Sequence, residues 1–431
     1  MHLYMSGAPK NDVYQTVENR LNTHRLLSVH GDYRELAMQW ATNLRNGIFT
    51  IDDYLAAFPQ FHELIKIRDE KRRKQQRDFG GKTDWSTYEL VADLTKKFEK
   101  PTHPKAVMLD SGAFSAWSLG QEISLDDVKR AYAQFIETAD DLFEEIWLIN
   151  LDVIPGEKKR TPTRDEIEAA MRQSDANFAD LRAAFGNCVL PVYHQTESLE
   201  RLDDVIAQVA DTTNYIGISP RNDVPENERV KWASDVHAIL QQQGCDVKTH
   251  GLATTGNKMM RSCHWHSGDS AAYVWHGAWG MVDIFHDDEN SFGRRNAAHY
   301  KSYLITYENT KYDLTARVLM ANGEYSTGLE MGLREDSAPH EIAAEFNRRG
   351  VRKMPFTDGK IKERDFHYHS LSETHQGYIR RRVERLGIPF EAMFCDNRLR
   401  SIVSMNETIC FAENLENNGK KQQQKNLFGV I

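Results

Sequence analysis

Asp110 and Asp269 are the residues best placed by type and context to do chemistry. Asp110 ends an apolar run, Val107 to Leu109, and is followed by Ser111 and Gly112, residues that turn a chain. This is the pattern of a buried strand that delivers a carboxylate at its C-terminal tip. Alone it would equally describe an Asx-type turn. Its company separates the two readings: Asp269 in S-G-D-S (267–270), Asp152 in N-L-D-V-I-P (150–155), His194 and Gln195 in P-V-Y-H-Q (191–195), Ser219 closing Y-I-G-I-S (215–219) and Gly251 in H-G-L (250–252) fall at matching positions. Two carboxylates in one site can divide the work on a glycosidic bond. One attacks the anomeric carbon and forms a covalent sugar–enzyme intermediate, while the other manages the proton on the leaving and incoming groups. A third carboxylate and an amide, Asp152 and Gln195, suit a heterocycle with donors on one edge and a carbonyl acceptor, which describes guanine.

The elements that would position these residues alternate. Leu3–Ser6, Leu26–Val29, Val107–Asp110, Ile146–Val153, Val189–Tyr193, Tyr215–Ser219 and Val247–Leu252 read as strands. The polar segment Trp265–Asp269 is the eighth by count. Helices are expected between them, among them 125–142 capped by Ser124, 163–185, 198–209, 226–243 and 257–263. Eight strand-then-helix units with polar residues at the strand C-termini are the expectation for a (β/α)8 TIM barrel, whose site is built from those ends. A doubly wound sheet would want a glycine-rich phosphate turn after its first strand, and none is present. The expected barrel covers 1–302, with a helical insertion over about 33–100. A smaller α+β extension follows over 303–431, with a hairpin turning at Asn322-Gly323, helices at 339–349 and 377–386, and a mobile polar tail at 413–425.

The 431 residues are 40% hydrophobic, enough for a large core and a second region. Five dispersed cysteines write neither a disulfide framework nor a zinc ribbon, and no apolar run approaches a membrane span, so a soluble, cytoplasmic protein is expected. The net charge of -9 argues against generic nucleic-acid binding. Four basic clusters argue the other way: 71–77, 158–160, 348–353 and 380–385. A single such run is usually a solvated helix face; four together suggest a polyanion partner.

In this order, L-D-S-G-A-F, N-L-D-V-I-P, P-V-Y-H-Q, Y-I-G-I-S, H-G-L-A-T-T-G and S-G-D-S-A-A-Y-V-W resemble the strand-end motifs of the guanine transglycosylases, over about residues 3–300. That family exchanges guanine in a nucleic acid for a 7-deazaguanine base by a covalent route on a (β/α)8 barrel. The resemblance implies that Asp269 is the nucleophile and Asp110 the general acid/base. It implies that Asp152 reads the amino edge of the base and that Gln195 or His194 reads its carbonyl side. Gly217–Ser219 would close the pocket, with Ile218 where the family has a second glycine, and Ser111, Phe114 and Gly251 are counted with the substrate contacts. Phe114, Trp117, Tyr193, Tyr273 and Trp275 are the aromatics available to sandwich a flipped base. The tRNA-modifying members carry a structural zinc held by clustered cysteines and a histidine. That cluster is absent here; Cys263 with His264 and His266, or His367, His369 and His375 with Cys395, would be substitutes. The expectation is therefore no required cofactor and no catalytic metal. The missing cluster, the altered motifs and the 33–100 segment resemble the phage and bacterial relatives that place deazaguanines in DNA. DNA is the preferred partner and tRNA the alternative, with a non-catalytic nucleic-acid-binding paralogue and a hydrolytic glycosylase as further readings. A protein partner or homodimer is left open.

Overall fold

The computed structural model describes residues 1–7, 9–21, 24–78, 85–98, 103–157, 160–286, 298–303, 317–319, 325–327, 365–368 and 371–428. The chain opens with β1 (His2–Met5), α1 (Gln15–Leu21) and β2 (His24–Ser28). Four helices follow without a strand: α2 (Asp32–Arg45), α3 (Ile51–Ala57), α4 (Phe61–Asp78) and α5 (Thr87–Lys97). Then come β3 (Ala106–Asp110), α6 (Ala113–Leu119), α7 (Leu125–Ala139), β4 (Glu145–Ile149) and α8 (Arg164–Phe185). The alternation continues with β5 (Val189–Leu190), β6 (Val192–His194), α9 (Leu199–Ala207), β7 (Tyr215–Ser219) and α10 (Glu226–Gln242). It ends with β8 (Lys248–Gly251), α11 (Asn257–Ser262), β9 (Ser267–Ser270) and α12 (Ala272–Ala278). Capping boxes fix three helix starts, Thr50 with Asp53, Ser86 with Glu89 and Thr163 with Glu166. Each satisfies backbone N–H groups that the first turn leaves without partners.

All nine of these strands lie in one parallel sheet, ordered β5-β4-β3-β2-β1-β9-β8-β7-β6. The two strands at its ends are consecutive in the chain, separated by Pro191 alone, so the sheet is a nearly closed barrel. Proline has no N–H to give to a ladder, which explains the break in what the sequence suggests is one strand, 189–193. Its carbonyl still accepts from Gly217 N–H at 2.8 Å, and the Leu190 carbonyl accepts from Asn150 N–H at 2.9 Å.

Side chains alternate across this sheet with period two. Tyr4, Leu26, Met108, Ile149, Val192 and Tyr215 fill the interior. Leu27, Val107, Leu109, Leu148, Tyr193 and Ile218 face outward and pack with Val128, Phe135, Leu181 and Val236 of the helices. Each large apolar side chain buried this way contributes roughly 1.5–3 kcal/mol. On β3 the alternation turns Ala106 and Met108 inward, which brings Asp110 to the interior face at the rim.

After α12 the described residues leave the barrel. β10 (Met281–His286) pairs antiparallel with β11 (Ala298–Tyr303). β12 (Arg317–Leu319) and β13 (Tyr325–Thr327) form the expected hairpin, and β14 (Asp365–His367) joins β11 in parallel. Helices α13 (Glu373–Arg385) and α14 (Asn397–Phe428) end the described chain. The expected 339–349 helix lies outside the described residues. The segment 413–425, expected as a mobile polar tail, is helical and belongs to α14. Leu399, Ile402, Val403 and Met405 bury the first half of that helix, and once a helix is nucleated each added residue costs little.

A second core joins residues from both sides of position 302: Val17, Tyr54, Leu90 and Leu94 pack with Val282, Ile379, Val383, Leu399 and Val403. Buried charges seal the same contact. Arg398 donates to Asp12 at 2.8 and 3.1 Å and to Glu18 at 2.7 Å. Asp396 accepts from Tyr14 Oη at 2.6 Å and from Arg68 at 3.1 Å. Arg72 pairs with Asp69 and lies 3.6 Å from the centre of the Trp85 ring.

Candidate active site at the mouth of the barrel

The C-terminal ends of the strands gather most of the residues singled out above. Asp110 ends β3, and Gly112 turns the chain straight into α6 with φ 85°, a left-handed conformation. A Cβ at Gly112 would also run into the His30 side chain, so only glycine fits. The carboxyl of Asp110 is bounded by the Ser28 hydroxyl and the Gly112 N–H, with Asp152 and Asp269 as charged neighbours. Burial pushes Asp110 up to about 7, the negative charge of Asp152 adds to the rise, and the Gly112 hydrogen bond opposes it. A carboxyl that titrates near neutrality is equipped to give and take a proton.

Asp152 lies three residues beyond the end of β4, on a loop rather than at a strand tip. The loop is pinned to α8: Ser174 Oγ accepts from Val153 N–H at 2.8 Å, and Asn177 Nδ2 donates to the Leu151 carbonyl at 2.7 Å. Asp152 is buried, and its Oδ2 lies 2.8 Å from His194 Nε2, a contact whose N–H is not aimed straight at the oxygen. Burial alone would lower the His194 imidazole, but the hydrogen bond and charge of Asp152, helped by Glu197, outweigh it and raise it. Glu197 Oε2 accepts from the His194 N–H at 3.1 Å and holds the start of this loop.

Asp269 sits on β9, buried. Its Oδ1 accepts from Ala253 N–H at 2.8 Å and lies 3.5 Å from His250 Nε2. A shallow cleft that shares His194 with this group opens at the same end, lined also by Phe114, Trp117, Pro155, Ser219 and Arg221. Phe114 is 43% exposed and its ring centroid is 5.8 Å from that of Trp117. Trp117 is anchored by an Nε1 hydrogen bond of 2.7 Å to the Gly156 carbonyl. Gly217 faces the interior in the same register as Tyr215, and a Cβ there would stand 3.2 Å from Val192 Cγ2.

Several expected contacts serve the scaffold. Ser111 is buried, with its hydroxyl donated to the Asn150 carbonyl at 3.1 Å, tying β3 to the loop after β4. Gln195 Oε1 accepts from Arg221 N–H at 2.8 Å and so holds the loop after β7. Gly251 makes room for Thr254, whose hydroxyl donates to the Gly251 carbonyl at 2.8 Å. Of the aromatics, Tyr193 is in the outer core stacked on Trp232, Tyr273 is buried, and Trp275 is 56% exposed on α12. Only Phe114 and Trp117 line the cleft.

His250 was not singled out by sequence reasoning, although it stands in the H-G-L-A-T-T-G motif. Its signal was its place one residue before Gly251, which the alternation turns to the interior, where its ring meets Tyr4 edge-on at 5.5 Å. No family model matches this chain, and no curated protein or solved structure matches it.

Among the described residues no three His, Cys, Asp or Glu side chains are placed to hold a metal ion. Cys263 packs in the outer core near Ser234 while the ring of His266 meets His2 and Tyr215, so this pair does not converge. His369 lies outside the described residues. Part of two basic clusters is committed to the scaffold, Arg72 to Asp69, Arg380 to Glu384 and Glu391, and Arg382 to Glu407, while Lys71, Arg73, Lys74, Arg381 and Arg385 are exposed. Lys158, Lys159 and the 348–353 cluster lie outside the described residues. No helix among the described residues is long and apolar enough to cross a membrane.

Proposed function

We propose that this protein is a transglycosylase that exchanges guanine in DNA for a 7-deazaguanine base. The observation that carries the reading is the juxtaposition of Asp110, held near neutral pKa by burial and by Asp152, with the buried Asp269, at the barrel end where His194 of the Asp152 pair lines an aromatic-walled cleft. Counting β5 and β6 as one strand broken at Pro191 makes the barrel a (β/α)8 barrel, in which chemistry belongs at this end.

On this reading the target base leaves the stack and enters the cleft against Phe114 and Trp117. The Asp269 carboxylate attacks the anomeric carbon as the bond to the glycosidic nitrogen breaks. Asp110, protonated, gives its proton to the departing guanine and becomes the carboxylate. The 7-deazaguanine base then loses its own glycosidic N–H proton to Asp110 and attacks the same carbon, and Asp269 leaves as a carboxylate. Atoms and charge balance without an oxidant or metal. The Asp152–His194 pair supplies an acceptor and a donor within reach of the base edge, and Gln195 acts on the carbonyl side through its loop.

The deciding experiment incubates the protein with labelled 7-deazaguanine and either duplex DNA or tRNA, followed by nucleoside mass spectrometry. Label in DNA supports the proposal. Label in tRNA only replaces it with a tRNA-guanine transglycosylase. Abasic sites without exchange mark a hydrolytic glycosylase, and binding without either product marks a non-catalytic paralogue.

A further inference from the structure

Behind Asp269 the barrel interior holds polar side chains that neither the acid pair nor the cleft uses. His250 and Ser267 are wholly buried, and Tyr215 is nearly so. Tyr215 Oη hydrogen-bonds Ser267 Oγ, Ser267 Oγ lies 2.6 Å from His250 Nδ1, and His250 Nε2 faces Asp269 Oδ1 at 3.5 Å. With the His250 ring neutral, the row has one chemically consistent direction. An ionised carboxylate only accepts, so the nitrogen facing Asp269 must carry the proton. The neutral ring then has Nδ1 as its acceptor, which takes the Ser267 hydroxyl proton, and Ser267 Oγ in turn accepts from Tyr215. Each hydroxyl uses its single proton once.

The other donor to Asp269 is also built at some cost. Ala253 holds φ 56°, a conformation that penalises a side chain by about 1–2 kcal/mol, and its N–H is the group bonded to Asp269 Oδ1. Both donors converge on the same oxygen. Among the described residues Oδ2 accepts no hydrogen bond.

We infer that His250 is a positioning residue for Asp269: held as the Nε2–H tautomer by Ser267 and Tyr215, it fixes Oδ1 together with Ala253 and leaves Oδ2 to meet the anomeric carbon. The catalytic consequence rests on the transglycosylase reading; the tautomer and the contact do not. At 3.5 Å the N···O contact is long for a hydrogen bond, and such contacts tighten when substrate closes a site.

The test uses the full-length protein in two arms. Nitrogen-15 NMR of the imidazoles reads the tautomer without any substrate. The expected result is a His250 ring protonated at Nε2, with that signal displaced in Asp269→Asn; an Nδ1–H ring, or a signal unmoved by Asp269→Asn, overturns the inference. The second arm follows covalent adduct formation on a guanine-containing oligonucleotide as a function of pH. His250→Leu is expected to slow it about 100-fold, the scale of a misplaced reacting group, and to move its acidic limb to higher pH. His250→Gln, which restores an N–H donor, is expected to recover to about a tenth of the native rate with the limb back in place. Equal losses in both variants with the native pH profile would mean that the ring only fills space, and would overturn it. Where His250→Leu does not fold, Ser267→Ala serves: it releases the tautomer, and an unchanged NMR signal and adduct rate overturn the inference. Absence of any native adduct on DNA or tRNA would fell the functional reading alone, because the NMR arm still decides the contact.

Discussion

Two parts of the molecule bury carboxylates, and they do it in opposite ways. Where the first helix meets the last, Asp12 and Glu18 share Arg398, and Asp396 has Arg68 and the Tyr14 hydroxyl. At the barrel mouth Asp152 and Asp269 act on Asp110 as like charges, and the three have a hydroxyl, imidazoles and backbone N–H groups as neighbours, with no arginine or lysine ion pair among the described residues. A carboxylate fastened to a cation serves the scaffold. Asp110, which has no such cation beside it among the described residues and a like charge in Asp152, is pushed up to about 7 by burial and that charge, and its burial costs stability.

The comparison is most severely tested by Asp269→Asn, which should abolish exchange and adduct while nucleic-acid binding, measured by gel shift, persists; retained turnover would remove Asp269 from its role. Asp110→Asn should slow exchange roughly 10²- to 10⁴-fold. The same variant should be the more stable protein at alkaline pH. Burial raises the folded-state value of Asp110 from 3.8 to about 7, so the folded protein holds the proton over that window after the unfolded chain has released it, and stability falls as pH rises through it. Urea denaturation at pH 8 should therefore favour Asp110→Asn by about 2–4 kcal/mol, and the gain should vanish at pH 4. A variant less stable at both pH values would contradict the contrast.

Arg398→Met asks the converse question of the fastening. It should cost about 3–5 kcal/mol of stability, because the buried Glu18 and the half-buried Asp12 lose the cation they share, while the pH–rate profile of the protein that remains folded keeps its shape. Asp152→Asn removes the charge that helps to raise Asp110, and the limb of the pH–rate profile near 7 should move to lower pH; a limb that stays fixed would assign the rise to burial alone. The smallest effect is expected from Phe114→Ala, a rise in KM of roughly 3- to 10-fold from the loss of one stacking surface, about 1 kcal/mol, read in steady-state exchange.

Much of the barrel was legible because a period of two and a period of 3.6 leave different marks, and because Asp110 follows strand positions that the alternation turns inward; the polar segment of Asp269 carries no such mark and is placed by the count of strand-then-helix units. What failed had physical causes. Asp152 reads as a strand tip since Ile149 to Val153 are mostly apolar, but the strand ends at Ile149, and the hydroxyl and amide of Ser174 and Asn177 hold the rest as loop. Ser111 and Gln195 stand in motifs that suggest ligand contacts, and the folded chain also gives each a partner in the scaffold, which the motif alone does not reveal. In the 380–385 run, Glu384, Glu391 and Glu407 meet Arg380 and Arg382 through helix spacing and tertiary packing, which the run alone does not reveal either. His250 escaped notice because a lone histidine on an apolar strand is ordinarily a core residue.

The ion pairs of Arg398 also set an order of events during synthesis. Asp12 and Glu18 precede their cation by 386 and 380 residues. At 5–20 residues per second the ribosome delivers it roughly 20–80 s later. Until then Glu18 of the first helix and Asp12 just before it lack their shared cation, so the nascent barrel has a reason to wait for α14. A protein cut short before α14 would lose the counter-charge on which its beginning depends, together with the helix that carries it.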